Sequence, residues 1–256
     1  MDALREALCP ETILVSVMYV NNEVGTVQPI QEAVQLTKRY NSSILFHTDA
    51  VQGYGKYRIH PKRLGIDLLS ASGHKIHGPK GVGFLYIDSR VKIHPIMFGG
   101  GQQKDLRSGT ENVPGIAGLG LASQLIYQDL EMKTALMREL KAYFLEGIRG
   151  IENTVVHGLT DEGSAPHIIS VGFSGVRSEV LLHTLEDKGI CVSAGSACAS
   201  NHPAVSGVLK AIGAPREYLD ATIRFSMSEF TTKEEIDYTL ETLYNCIPML
   251  RKFTRR

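Results

Sequence analysis

The chain has 256 residues, with 27 lysines and arginines against 27 aspartates and glutamates. This length is enough for one large domain or two unequal ones around a substantial core. Because the charges balance, no net field favours nucleic acid or an anionic membrane surface, and we expect neither as a partner. No apolar run approaches the roughly 20 residues that cross a bilayer.

The four cysteines, Cys9, Cys191, Cys198 and Cys246, are scattered and show no CxxC or CxxH spacing. This excludes the usual structural zinc motifs, and the low cysteine density argues against a disulfide-framed secreted fold. We therefore expect no resident metal. Cys191 lies in a short apolar run, as buried structural cysteines usually do, and is expected to be buried. The opening residues do not read as a signal peptide, so a reducing cytoplasm is the expected location.

The first half of the chain alternates between strand and helix patterns. The predicted elements are a strand within Thr12–Val20, a helix at Pro29–Tyr40, and strands at Ile44–His47, Asp67–Ser72 and Gly81–Ile87. This alternation predicts a mostly parallel sheet with both faces covered.

A glycine-rich connector, Gly99–Gly109, is followed by helical periodicity that predicts one long helix, Gly115–Gly147. Beyond it the predicted elements are strand Ile168–Phe173, helix Ser178–Lys188, strand Ile190–Ser193, helix Pro203–Ile212, strand Ala221–Met227 and helix Lys233–Arg251, with Thr231 or Thr232 as the N-cap. We expect this half to be a compact α+β domain. The predicted boundary divides residues 1–125 from residues 126–256.

Lys75 lies between a predicted strand end and a turn rich in glycine, directly after Ser72-Gly73-His74. An amine nucleophile needs such a setting, because partial burial lowers its pKa and polar neighbours hold it in place. Taken alone, the segment is more typical of a solvated loop lysine.

Two other polar groups follow predicted strands. Asn22 lies in Asn21–Gly25 after the first strand, and Asp49 ends the next one. Ligands of open α/β sheets bind at these carboxyl ends. Asn22 is then either a ligand-facing amide or an ordinary turn residue. Asp49 is either the partner of a pyridinium nitrogen or the cap of the following turn.

Cys198 lies among small residues in Val192–Ser200. No bulky neighbour buries it, and exposure is what thiol reactivity requires. The alternative is a tight turn with an incidental cysteine.

Taken together, the motifs resemble one family. The stretches MYVNNEVGTVQPI, FHTDAVQ, SASGHKIHGPKGVGFLYI, RSGTENVPGIAGLG, VSAGSACAS, ATIRFS and FTTKEEIDYTLE occur in family order over nearly the whole chain. The chain resembles the cysteine desulfurases of the NifS/IscS type, in the class V aminotransferase family. The resemblance implies the α/β fold of pyridoxal-phosphate (PLP) enzymes of fold type I, like aspartate aminotransferase. It implies part of a large domain with a mostly parallel sheet, and a C-terminal α+β small domain.

The resemblance also implies PLP as the cofactor and assigns roles around it. Lys75 is similar to the lysine that forms a Schiff base with PLP and later moves protons. The other implied cofactor residues are Asp49 at the ring nitrogen, Gln52 at the phenolic oxygen, Ser72 and His74 at the phosphate, Asn22, and Thr110, which reaches the phosphate of a partner subunit. His74 is also implied to be catalytic. The role of Thr110 implies a homodimer.

For the substrate, L-cysteine, the resemblance implies that Asn22 and Arg224 hold the carboxylate, which suits the planar fork of an arginine. Cys198 is similar to the nucleophile that takes the sulfur and becomes a persulfide. The sulfur then passes to an iron–sulfur scaffold or a sulfur-carrier protein, and Cys198 could serve as a transient iron–sulfur ligand. L-Alanine is the implied product.

The chain departs from the family at two places. Family members carry about a third of the enzyme before the NNE motif, with a phosphate-binding loop and a ring-stacking histidine, and we expect weak cofactor binding without it. Glu229, in Ser228-Glu229, stands where the family has arginine, and we expect it at the surface; the alternative is weakened substrate binding. The alternative functions are selenocysteine lyase and a non-catalytic module for dimerisation or scaffold docking.

Overall fold

The computed structural model describes residues 1–195 and 206–253. The chain divides into two compact units. Unit 1 comprises Met1–Val20 and Gln28–Leu130, and unit 2 comprises Asn21–Val27 and Glu131–Arg256. In the described ranges, no helix has the length and apolar character needed to cross a membrane.

Unit 1 contains a four-stranded sheet and its helices. The elements are α1 (Asp2–Ala7), β1 (Leu14–Met18), α2 (Ile30–Tyr40), β2 (Leu45–Asp49), α3 (Pro61–Leu64), β3 (Leu68–Ser72), β4 (Gly83–Ile87) and α4 (Val113–Tyr127). The strand order is β1-β2-β3-β4, with the first three strands parallel and β4 antiparallel to β3. The expected mostly parallel sheet is therefore present.

The core of unit 1 lies on one face of this sheet. Val15, Phe46 and Leu69, one from each parallel strand, are buried against the apolar stripe of α2, which includes Ile30 and Val34. The opposite face is more open, since Leu14 is 47% exposed and Leu85 is 51% exposed. Of the two covered faces expected from the sequence, one is found.

Unit 2 is an antiparallel sheet packed with helices. The elements are α5 (Leu130–Gly147), β5 (Thr154–His157), β6 (Ile168–Phe173), α6 (Ser178–Glu186), β7 (Ser193–Ala194), α7 (Gly207–Ala211), β8 (Thr222–Ser226) and α8 (Lys233–Arg251). The strand order is β5-β6-β8-β7. Its core joins the sheet to α5, α6 and α8 through fully buried side chains such as Phe144, Phe173, Leu185, Ile223 and Leu243. This is the α+β arrangement expected for the C-terminal part.

The predicted long helix is two helices. α4 ends where Gln128 adopts an extended backbone, and Asp129 has φ of 54° in the left-handed region. A residue with that φ cannot continue a right-handed helix, so α5 starts anew at Leu130. Apolar periodicity alone does not detect such a break, because it continues on both sides.

Smaller differences concern short elements. α1, α3 and β5 were not predicted, and the strand expected at Ile190–Ser193 is found at Ser193–Ala194. Of the helix expected at Pro203–Ile212, the described part contains α7, which begins at Gly207. Thr232 is the N-cap of α8, and a capping box with Glu235 closes that end.

Candidate active site

Lys75 lies in a 3₁₀ turn, Gly73–Ile76, that directly follows β3. The turn is closed at both ends, because Gly73 N–H donates to Val82 O at 2.9 Å and Gly78 N–H donates to Gly73 O at 2.9 Å. Ile76, next to Lys75, is 2% exposed and packs into a cluster with three residues of α4. Lys75 therefore has a fixed backbone, although its side chain is exposed rather than partly buried as expected.

A hydroxyl and an imidazole stand beside this lysine. Ser72 Oγ lies 2.7 Å from His74 Nδ1. Ser72 is the last residue of β3, and His74 is exposed. The contact orients the ring and leaves its Nε2 edge pointing away from Ser72. Both groups are ordinary hydrogen-bond partners of a phosphate.

Asp49 ends β2 at the same edge of the sheet, since Asp49 pairs with Ser70 of the parallel strand β3. Its Oδ1 accepts a hydrogen bond from Val51 N–H at 2.8 Å, so it does cap the following turn. Within the described chain, no donor contacts its other carboxylate oxygen. The turn role and a ligand role are therefore compatible. Gln52 is half-buried within this turn.

His47 was not singled out from the sequence. It lies two residues before Asp49 on the same face of β2, with Ser16 Oγ 2.8 Å from Nδ1 and Ser70 Oγ 3.2 Å from Nε2. Burial lowers the pKa of His47, and the charge of Asp49 opposes this shift. The ring therefore bridges three strands and supports the carboxyl end where Asp49 lies.

Thr110 is exposed in the stretch between β4 and α4. The apolar residues Ile96 and Phe98, earlier in the same stretch, are 90% and 83% exposed. Such exposure of large apolar side chains is typical of a surface that contacts another molecule.

In unit 2, Arg224 on β8 is held from two sides. Its Nη1 donates to Asn22 O at 2.8 Å, and its Nη2 donates to Ser193 Oγ at 3.1 Å. The structure thus brings Asn22 and Arg224 together, through the backbone carbonyl of Asn22. The turn-forming side chain is that of Asn21, whose Oδ1 accepts from Glu23 N–H and Val24 N–H at 2.9 and 3.0 Å.

The Asn21–Val27 segment makes a second contact, between Glu23 and Ser206, that the sequence did not predict. Ser206 Oγ donates to Glu23 Oε2 at 2.5 Å, across a separation of 183 residues. The same hydroxyl accepts from Leu209 N–H at 3.1 Å and so caps α7. Ser206 is 7% exposed. Glu23 therefore fixes the start of α7.

Cys198 lies outside the described residues. Cys191, before β7, is exposed, so the expectation that it is buried was wrong. Glu229 is half-buried rather than fully at the surface, and its neighbour Ser228 accepts a turn hydrogen bond from Phe230 N–H at 3.2 Å.

Comparison with solved structures identifies the fold. A solved structure described as a NifS-like protein superposes with a TM-score of 0.89 at 36% identity, covering 97% of this chain and 65% of the other. A NifS-like protein from Rickettsia africae gives 0.85 at 32% identity. The fold is that of the PLP-dependent transferases of fold type I, as predicted.

The profile of the family described as "Aminotransferase class-V" matches residues 1–239. The chain belongs to the class V aminotransferase family, and the motifs that predicted it are of the NifS/IscS type. It is 43% identical to a protein named cysteine desulfurase IscS from Dictyoglomus turgidum over 98% of this chain. It is 42% identical to a mitochondrial cysteine desulfurase from Eremothecium gossypii over 99%. The chain spans 63% and 51% of the lengths of these two relatives.

The geometry of Arg224 leads to a prediction for a carboxylate substrate. Arg224→Lys keeps the charge but loses the planar fork that Asn22 and Ser193 orient. We expect the KM for a substrate that binds through its carboxylate to rise about 10- to 100-fold, since hydrogen bonds to charged groups contribute about 1.5–3 kcal/mol. Initial rates over a range of substrate concentrations measure this. Arg149→Lys, at an exposed position of unit 2, is the matched control. Equal KM values in both variants would exclude a role for Arg224 in binding the substrate carboxylate.

Proposed function

We propose that the protein is a PLP-dependent cysteine desulfurase, which converts L-cysteine to L-alanine and leaves the sulfur on Cys198 as a persulfide. The observation that carries this proposal is the closed turn of Lys75, placed directly after the Ser72–His74 pair. The names of the relatives support the choice of reaction. Because the chain spans only part of their length, the activity, substrate and partners are proposed together.

The chemistry of the donor groups in unit 1 fits PLP. Ser72 and His74 offer a hydroxyl and an imidazole for the phosphate, and Asp49 offers a carboxylate oxygen for the protonated ring nitrogen. Lys75 offers an exposed amine for the aldehyde carbon. We assign these roles accordingly, with Gln52 at the phenolic oxygen and Asn22 as a further cofactor contact. Bound there, PLP would supply the electron sink for a carbanion at the substrate.

The chain's own residues then have defined tasks. Lys75 Nζ would take and return the proton at the substrate α-carbon, with its backbone held still by Ile76. Asp49 would keep the ring nitrogen protonated. His74, oriented by Ser72, would be available for proton transfer as well as for the phosphate.

Arg224 and Asn22 would bind the carboxylate of L-cysteine, with the guanidinium oriented by its contacts to Asn22 O and Ser193 Oγ. The thiolate of Cys198 would attack the substrate sulfur. An S–S bond forms as the substrate C–S bond breaks, its electron pair stays with the carbon, and protonation there gives L-alanine. The Cys198 thiol and L-cysteine thus become a persulfide and L-alanine, with no further oxidant.

We also propose a homodimer and a protein acceptor for the sulfur. The exposed apolar residues Ile96 and Phe98, in the same stretch between β4 and α4 as Thr110, support a contact with a second copy in which Thr110 reaches the partner's phosphate. The persulfide would pass to an iron–sulfur scaffold or a sulfur-carrier protein, since a persulfide sulfur transfers readily to another thiolate.

The experiment that tests the function supplies the chain with PLP and either L-cysteine or L-selenocysteine. We expect alanine from L-cysteine, together with an equal amount of persulfide. Trypsin leaves Cys191 and Cys198 on one peptide, between Lys188 and Lys210, so fragmentation of that peptide must place the added sulfur on Cys198. Alanine from L-selenocysteine alone would identify a selenocysteine lyase. No alanine from either substrate would identify a non-catalytic module.

A further inference from the structure

Lys141, on α5, is a buried lysine that the proposed reaction does not use. It is 6% exposed. Its Nζ donates to Ser164 Oγ at 2.5 Å, to Ala165 O at 2.8 Å and to Ile168 O at 2.8 Å. All three acceptors lie in the segment Ser164–Ile168, which leads into β6.

An ammonium group has three N–H donors, and here each one has an oxygen acceptor. In the described chain, no carboxylate contacts it. Burial, with a smaller effect from the charge of Arg138, lowers the pKa of Lys141 to about 8. The side chain is therefore still mostly a cation near neutral pH. A buried cation without a counter-ion is stable only where all of its hydrogen bonds are made. The ammonium of Lys141 therefore holds the Ser164–Ile168 segment in place, and the segment in turn holds the ammonium.

The Ser164–Ile168 segment in turn holds the Asn21–Val27 segment. Thr26 forms an antiparallel bridge with Ser164, Val27 N–H donates to Gly163 O at 2.8 Å, and Ala165 N–H donates to Gly25 O at 2.7 Å.

Gly25 shows how closely the two segments approach. It has φ of +72°, and a Cβ placed there would lie 3.1 Å from Ile168 Cβ and 3.2 Å from Ile168 O. Both the backbone conformation and this spacing favour glycine over any residue with a Cβ. The Asn21–Val27 and Ser164–Ile168 segments are therefore in direct contact.

The Asn21–Val27 segment is also the one that contacts Arg224, through Asn22 O, and Ser206, through the Glu23 carboxylate. A continuous chain of hydrogen bonds thus runs from Lys141 through Ser164–Ile168 and Asn21–Val27 to the guanidinium of Arg224. We propose that Lys141 is a positioning residue that sets the orientation of Arg224 for the substrate carboxylate. This inference rests on the proposed function for the identity of the substrate.

The test replaces Lys141 by methionine, which is similar in length but has no donor. We expect hydrogen exchange at the amides of Val27 and Ala165 to become at least about 10-fold faster, because their hydrogen bonds lose a fixed partner segment. We expect the KM for L-cysteine to rise by about 10-fold with a smaller change in kcat, since misplacing a binding group impairs binding first. Fixation of PLP on Lys75 by borohydride should be unchanged.

Thr232→Ala is the matched control, because it removes the N-cap of α8 and contacts neither segment. If it changes the exchange at Val27 and Ala165, or the KM, as much as K141M does, the effect is general destabilisation and the inference is wrong. Unchanged exchange in K141M also overturns it. If K141M does not fold, K141Q takes its place, because glutamine keeps two N–H donors. The exchange rates at Val27 and Ala165 are then measured in K141Q and judged by the same criteria. Failure of the wild-type chain to release alanine would refute the proposed function. The exchange data would still show whether Lys141 holds the two segments that contact Arg224.

Discussion

Replacing Lys75 by alanine is expected to abolish the covalent attachment of PLP that borohydride reduction leaves on the wild-type chain. In the proposed function the Lys75 amine would bond the cofactor's aldehyde carbon, and alanine has no nucleophile to replace it. The measurement is the mass of the reduced protein and the position of the added mass on its peptides. Because Lys75 is exposed, the free energy of unfolding should change by less than about 0.5 kcal/mol.

Lys80 provides the control for this experiment. It is also exposed and follows the same turn five residues later, so Lys80→Ala removes a similar charge from the same surface. We expect Lys80→Ala to retain full attachment. Attachment that persists in Lys75→Ala, or that maps to Lys80 in the wild-type chain, would show that Lys75 is not the Schiff-base lysine. No attachment in any variant would remove PLP from the proposed function.

The long regular elements could be predicted from the sequence because their signals are local. The bounds of β6 and α8 were predicted as Ile168–Phe173 and Lys233–Arg251, and both are found. A β-branched run and a cap followed by a periodic stripe are properties of neighbouring residues. The break at Asp129 was missed, since it depends on the backbone of one residue within a continuous apolar pattern.

In the candidate site as well, residues that are close in sequence could be predicted, whereas contacts between distant residues could not. Ser72, His74 and Lys75 are adjacent in sequence, so their motif was visible and one turn positions them all. The contact between Glu23 and Ser206 joins residues 183 positions apart, and no local pattern indicates it. Lys141 was hidden for another reason. It follows Leu140 on α5 and reads as the polar edge of an amphipathic helix, whereas its acceptors come from a distant segment.

Asp49 shows why the ordinary and the functional interpretations of a motif need not compete. One carboxylate oxygen caps the turn through Val51 N–H, which fixes the orientation of the other. A side chain that is held by the turn it caps is already oriented for a ligand, and such preorganisation is what a binding group requires. The same holds for Arg224, because its contacts with Asn22 O and Ser193 Oγ constrain the plane of its guanidinium.

Replacing Cys198 by serine is expected to abolish both the persulfide and the release of alanine from L-cysteine, while PLP attachment to Lys75 remains. A thiolate is the nucleophile in this chemistry, and a serine hydroxyl stays protonated and cannot accept a sulfur atom. Alanine formation and the mass of the peptide between Lys188 and Lys210 measure the two outcomes.

The chain supplies a matched control in Cys191, an exposed thiol on the same peptide. Cys191→Ser should leave both outcomes at the wild-type level. Cys246 is a poorer competitor, because burial raises the pKa of its thiol and keeps it protonated. If Cys198→Ser still forms a persulfide and Cys191→Ser does not, Cys191 is the nucleophile and the assigned role of Cys198 is wrong. Loss of activity only in the double variant would mean that either thiol can take the sulfur, and the small residues around Cys198 would then have no special part in the reaction.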